Sequence, residues 1–396
     1  MQGAFERLTA GRMSDERIPF SLPDITEAEI EAVTRTIRSG WVTSGPEMVA
    51  FEQEFAAHVG GQVEAVAVNS ATAGLHLALE ACGIGPGDEV IVPTWTFTAT
   101  AEVVRYLGAV PVLVDVDPIT LNIDMQRVAE ALTPATKAVI PVHLAGLGIN
   151  LAVLRAIVGP DVRIIEDAAH SLPTVTDGAR VGACEHSDAA VFSFYATKTI
   201  TTGEGGMITT RDPDIAARTR VMRLHGIDRD AFDRYRSEKP GWFYDVVAAG
   251  FKYNLPDPAA AMGRVQLNRS PSMHARRQEL AENYLDAFSA LPLHLPSRAP
   301  AEDTHAWHLF ILRIAPEAPV SRDNFIAALA EQGVGTSVHF IPLHLHTVWR
   351  QSLGLSPHQF PNANDQFEHA VSLPLFSSMT AEQFQRVVDV VRKVLS

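Results

Sequence analysis

Between Glu64 and Thr210 the chain alternates between two hydrophobic periods. Seven short runs, "EAVAVN", "DEVIVP", "VPVLVDV", "KAVIPVHL", "VRIIED", "AAVFSF" and "GMITT", are apolar almost throughout. That is the pattern of strands covered on both faces in an α/β sheet. The stretches between them are amphipathic with helical spacing. Ahead of them, "DITEAEIEAVTRTIRSG" places Thr26 as an N-cap and Glu29 at the capping-box position of a helix. Past residue 210 comes an irregular region, "RSEKPGWFYDVVAAGFKYNLPDPAAAMG", then a long helix from about Ser270 to Leu291. A second unit follows, with a strand in "WHLFILRI", a capped helix in "SRDNFIAALAEQG", a strand in "GTSVHF" and a C-terminal helix from Thr380. The expected architecture is α/β: a large three-layer domain with a mostly parallel sheet over residues 17–268, and a smaller C-terminal α/β domain over residues 269–396. Residues 1–16 read as a loose N-terminal extension.

Composition narrows the possibilities. With 396 residues, 46% hydrophobic and 20% charged, the chain is an ordinary globular protein with room for a large core. A net charge of −14 and the lack of any basic run argue against a nucleic-acid surface. An anionic ligand would therefore need local donors, such as a helix N-terminus or a few Arg or Lys. Cys82 and Cys184 make neither a metal spacing nor a disulfide framework and read as small buried residues. No metal site is expected. The N-terminus has no continuous apolar region of the signal-peptide kind, and no apolar stretch reaches membrane-spanning length. A cytoplasmic protein without membrane partners is the expectation.

Several strand candidates end in polar residues, among them Asn69, Asp115, His143 and the pair Glu166-Asp167. Open α/β sheets bind ligands at the strand C-termini, so chemistry is expected there. "AVNSATAGLHLAL" puts Ser70, Thr72, Ala73 and Gly74 at a helix start, where free N–H groups favour a phosphate. Ordinary N-capping explains the same residues. Asp167 could cap a helix or hold a nearby ring nitrogen protonated, with His170 three positions on. "VPTWTFTATAE" supplies Trp95 and Phe97, either of which is core or a platform for a flat ring. In "FSFYATKTITTGEGG" a single lysine, Lys198, follows a buried strand and precedes a glycine-rich turn that permits close backbone approach. A lone lysine usually snorkels to solvent. Taken together, an acid, an aromatic, a phosphate-binding helix start and a lysine are the parts that pyridoxal 5'-phosphate requires.

From "GWVTSGPEMVAFE" to "SLPLFSSMT" the chain resembles the DegT/DnrJ/EryC1/StrS family of pyridoxal-phosphate sugar aminotransferases, which have the fold-type-I aspartate-aminotransferase architecture. The ordered landmarks are "NSATAGLHLAL", "GDEVIVPTWTFTAT", "IPVHLAG", "IIEDAAHS", "FSFYATKTITTGEGG", "RLHGI", "GFKYNLPDPAAAMGRVQL" and "VHFIPLH". The resemblance implies Lys198 as the Schiff-base lysine and Asp167 as partner of the pyridine nitrogen. It puts Phe97 where an aromatic stacks on the ring, Thr72, Ala73 and Ser193 at phosphate-binding positions, and His170 beside the cofactor. Asn254 matches an asparagine that reaches the phosphate from the other subunit, which implies a homodimer with shared sites. The implied reaction is ping-pong: L-glutamate gives its amino group to the cofactor, and a nucleotide-diphosphate keto sugar takes it. "EDAAH" and "FKYNLPD" resemble members acting at sugar C4, with C3, a keto-cyclitol, or a non-catalytic member that only binds the cofactor as alternatives. Arg223, His225, Lys252, Arg264 and His339 flank the landmarks and are the candidates for holding the diphosphate. Leu172-Pro173, and the longer "TVTDGARVGACEHSD" after it, depart from many relatives.

Overall fold

In the computed structural model, residues 17–60, 62–228 and 244–396 are described; the expected extension over residues 1–16 lies outside them. All seven apolar runs form strands of one sheet. They are β1 (Glu64–Val68), β2 (Glu89–Pro93), β3 (Val110–Val114), β4 (Thr136–Val139), β5 (Arg163–Asp167), β8 (Ala189–Ser193) and β9 (Gly206–Thr210). Between β5 and β8, the two-residue strands β6 (Val175–Thr176) and β7 (Ala179–Arg180) pair as a small hairpin in the longer connection. The sheet order is β1-β9-β8-β5-β4-β2-β3, and only β9 runs against the others. Parallel strands end at a common edge, so Val68, Pro93, Asp167 and Ser193 arrive at one rim, where β9 begins at Gly206.

Alternation along each strand builds the three layers. Val66, Val68, Val90 and Val191 pack under the helices Ala71–Ala81 and Ala99–Tyr106 on one face. On the other, Ala65, Ala67, Phe192 and Met207 meet Phe51 and Phe55 of the helix Pro46–Val59. A second core surrounds the antiparallel sheet β10 (Leu293–His294), β11 (Phe310–Ile314) and β12 (Ala370–Leu373), covered by the helices Arg322–Glu331 and Ala381–Leu395. Cys82 is half-buried and Cys184 buried, and burial pushes both thiols up to about 12, consistent with packing residues rather than reactive ones.

Two elements differ from expectation. The long helix runs Asp257–Phe288, beginning well before Ser270, and the expected domain boundary at 268/269 falls inside it. Pro258 is tolerated in its first turn, and Pro271 lies inside it. Pro271 cannot donate to the Leu267 carbonyl, which instead accepts the Ser270 hydroxyl at 2.8 Å. "GTSVHF" is not a strand: its one backbone bridge to β12 is Ser337–Ser372, His339 Nδ1 lies 2.9 Å from the Ser372 hydroxyl, and the segment then leaves the sheet, carrying His339 and Phe340 toward His170. β12 itself, whose last two residues open the "SLPLFSSMT" landmark, is a strand the sequence pattern does not predict.

The helix Glu27–Ser39 has the expected Thr26/Glu29 capping box. Glu29 is 1% exposed and also binds Arg269 and Gln266, clamping this helix onto the long one. Burial alone would raise its pKa, but hydrogen bonds from Thr26, Arg269 and Gln266 outweigh that and hold it at about 2. A depressed carboxylate stabilises the fold above its ordinary value of 4.5, and that contribution is lost as pH falls toward 2. Glu29→Ala should destabilise by about 3 kcal/mol by leaving buried partners unpaired. Denaturant unfolding at pH 7 and pH 3 checks both, with a smaller difference between variant and parent at pH 3.

Candidate active site

Asp167 closes β5, with its backbone fixed between the Pro141 carbonyl and the His143 N–H. Its carboxylate accepts from the Thr100 hydroxyl at 2.9 Å and from the Ala169 N–H at 3.2 Å. Thr100 spends its hydrogen on Asp167, so Thr96, at 2.9 Å, donates to Thr100 in turn. The neighbouring acid plays a different part. Glu166 accepts from His143 Nε2 at 2.9 Å, since His143 Nδ1 already accepts the Ile149 N–H. Consecutive strand residues face opposite ways, so one acid braces the fold and the other reaches the rim.

Lys198 lies in the turn after β8. Its N–H donates to the Tyr195 carbonyl at 2.9 Å, and Thr201 and Thr202 both bond back to the Phe194 carbonyl at 3.0 Å, which fixes the loop. The ε-amine is half-buried and has no hydrogen-bond partner among the described residues. Burial pushes its pKa down to about 8, against the opposing pull of Asp167. Burial raises the Asp167 pKa, and the Thr100 and Ala169 hydrogen bonds and the Lys198 charge act against it. Reaction of the cofactor-free protein with an aldehyde should therefore rise with pH and level off above about 8. An unperturbed lysine would keep rising toward 10.5; rates of aldehyde capture from pH 6 to 10 check this.

Around this pair stand neutral imidazoles. His170 accepts the Ala145 N–H on Nδ1 at 3.2 Å, so its hydrogen is on Nε2. Burial first, then the Lys198 charge, hold His170 well below its usual range and His339 at about 4. The His170 ring lies 4.4 Å from that of His308 and 5.9 Å from that of Phe340. Phe340 in turn lies 5.7 Å from Phe97, which is 56% exposed at the rim. Of the two aromatics after β2, Trp95 is fully buried core and Phe97 is the one free to meet a ring.

On the far side of the lysine, the helix Ala71–Ala81 starts at the end of β1. Ser70 caps it by accepting the Ala73 N–H at 3.1 Å, so the N–H groups left for an anion are those of Ala71 and Thr72. Capping and anion binding thus coexist. Gly206 pairs with both Val68 and Ser193, which sets the helix start at Ser70-Ala71 close to the end of β8. A Cβ at Gly206 would lie 2.8 Å from the Ala71 nitrogen, so only glycine admits this approach. The residues fit pyridoxal phosphate: free N–H donors at a helix start for the phosphate, a buried carboxylate with no bonded cation among the described residues for the ring nitrogen, and an amine with no hydrogen-bond partner among them.

The remaining candidates divide. Asn254 bridges to Val68 and donates to the Ser44 hydroxyl at 2.7 Å, beside its own chain's β1. Lys252 is exposed next to it, its carbonyl accepting from the Asn69 side chain, and His225 is exposed with a left-handed φ of 59°. Arg223 is 1% exposed and pairs with Glu52 and the Ala67 carbonyl, while Arg264 is neutralised by Glu47 and Glu54. Both charges are met by carboxylates of the same chain. Sequence reasoning missed Thr100, Phe340 and His308. The threonine spacing in "TWTFTAT" was the only available signal for the first. Among the described residues no His, Cys, Asp and Glu cluster suits a metal ion, and no helix is long and apolar enough to cross a membrane.

The chain is similar over nearly its whole length to known proteins. The chain is 44% identical to the spore coat polysaccharide biosynthesis protein SpsC of Bacillus subtilis over 381 residues, 96% of this chain and 97% of SpsC. The solved PLP-form of Spr1654 from Streptococcus pneumoniae superposes with a TM-score of 0.87 at 33% identity, covering 96% of this chain and 100% of that one. The sugar aminotransferase CalS13 of Micromonospora echinospora gives 0.84 at 28% identity, over 95% and 99% of the two chains. The model of one family matches residues 23–392. The chain belongs to the DegT/DnrJ/EryC1/StrS aminotransferase family, a pyridoxal-phosphate-dependent sugar aminotransferase group.

Proposed function

We propose that this enzyme moves an amino group from L-glutamate to the keto carbon at C4 of a nucleotide-diphosphate sugar, in two half-reactions, as a homodimer. The observation that carries the reading is the Lys198 side chain, in the turn after β8 with no hydrogen-bond partner among the described residues and within the field of the buried Asp167 carboxylate. Pyridoxal phosphate, when bound, supplies an electron sink for breaking bonds at the substrate carbon. The chain's own residues do the rest. Asp167, braced by Thr100, holds a proton on the ring nitrogen. The Ala71 and Thr72 N–H groups and Ser193 bind the phosphate, and Phe97 limits the ring's tilt from the open side.

Lys198 anchors the cofactor through its ε-nitrogen and carries a proton to and from the substrate carbon; a pKa of about 8 suits both tasks near neutral pH. His170 presents Nε2–H as a neutral donor. For the diphosphate we favour Lys252, His225 and His339, because the positive charges of Arg223 and Arg264 are neutralised by acids. Exposed Tyr244, Val246 and Val247, just before Lys252 and Asn254, support a second subunit covering this side.

A single-turnover experiment tests the reading. Glutamate should bleach the visible absorbance of the bound cofactor. After desalting, a nucleotide 4-keto sugar should restore it while a nucleotide 3-keto sugar and a keto-cyclitol do not. Restoration only by one of the latter two would overturn the substrate, and failure of glutamate to bleach the band would overturn the donor.

A further inference from the structure

Behind the Lys198 loop, where the long helix crosses it, lies a small, partly open cavity whose polar lining is Thr199, Ser270, His274 and Arg277. We propose that it is a binding site for one halide ion, chloride under ordinary conditions, held by Arg277 and Thr199. Arg277 is 3% exposed. One of its terminal nitrogens donates to the Leu375 carbonyl at 2.8 Å, and its Nε is buried with no partner among the described residues. Among the described residues no carboxylate bonds to it. Asp24, the acid whose field reaches it, spends its oxygens on Arg269 at 2.6 Å and Ser377 at 2.8 Å. A buried guanidinium left without a counter-charge is strongly unfavourable. Burial accordingly pulls its pKa down to about 10.

The cavity wall has the complementary chemistry. The Ser270 hydroxyl is used by the Leu267 carbonyl, and His274 Nε2 lies 2.9 Å from the His305 carbonyl. The donors left over are Arg277 Nε and the Thr199 hydroxyl, which has no partner among the described residues. A wall with net positive charge and spare donors favours an anion over a neutral water. The space is about that of one water-sized particle, which excludes phosphate, sulfate and carboxylates, so an anion bound here must be monatomic. Thr199 directly follows Lys198, so the ion would tie the long helix to the loop that carries the reactive amine.

Crystals of the cofactor-loaded enzyme grown in sodium bromide test this independently of the substrate. An anomalous bromide peak bonded to Arg277 Nε and Thr199 Oγ1 is expected. In solution, replacing gluconate by chloride at constant ionic strength should raise Tm by about 2–4 °C. That increment should vanish in Arg277→Met and in Thr199→Val, which keeps the loop's shape should the arginine variant fail to fold. An ordered water without anomalous signal in the cavity would overturn the proposal. So would a chloride increment that survives both substitutions.

Discussion

Lys198→Ala is expected to lower transamination by about 10⁴-fold or more, since anchoring and proton transfer both depend on one nitrogen. The loop is held by Thr201, Thr202 and backbone bonds, none of which uses the lysine side chain. The variant should therefore fold with an unchanged or slightly higher Tm, because a half-buried amine has been removed. It should still bind pyridoxal phosphate weakly through the Thr72 and Ser193 cradle, without the visible band of the parent. Lys198→Arg keeps a charge but cannot serve as the anchor, and should be equally inactive. Steady-state rates, absorbance spectra and Tm on the two variants make the comparison. A variant as fast as the parent would remove Lys198 from the mechanism.

Asp167→Asn should cost about 10³-fold in rate with the fold intact. An amide of the same shape still accepts from one of Thr100 and Ala169, but carries no charge to keep a ring nitrogen protonated. The sign of a second effect follows from the same pair. Asp167 pulls the Lys198 pKa up while burial pushes it down, so losing the carboxylate should move the amine below about 8. The pH profile of aldehyde capture by the cofactor-free protein should then shift to lower pH. A rate loss without that shift would mean that Asp167 only braces the loop. Unfolding in denaturant separates either outcome from simple destabilisation.

Much of this site was legible before any coordinates. The seven apolar runs named the strands because strands covered on both faces have no polar side to hide. Strand direction was not legible. The reversal of β9, which brings Gly206 under the helix start at Ala71, depends on pairings distant in sequence. "GTSVHF" has the residues of a strand, but pairing decides strands and it found only Ser372 as a bridge. The long helix starts thirteen residues before the expected Ser270, in the segment read as irregular: Pro258 occupies a first turn that needs no N–H, and the Leu267 carbonyl that Pro271 cannot serve is taken by the Ser270 hydroxyl. Among the charged candidates, nothing local distinguished Arg223 and Arg264 from Lys252. Their partners Glu52, Glu47 and Glu54 sit more than a hundred residues away in the chain, so only the fold reveals the pairing.

The central claim is that one lysine, Lys198, is the cofactor's point of attachment. The chain has five lysines, Lys137, Lys198, Lys239, Lys252 and Lys393. Reducing the loaded protein with borohydride and mapping its peptides by mass spectrometry reads the attachment point directly. The label is expected on Lys198 alone, at close to one per chain. A label spread over the other lysines, or absent altogether, would contradict the account.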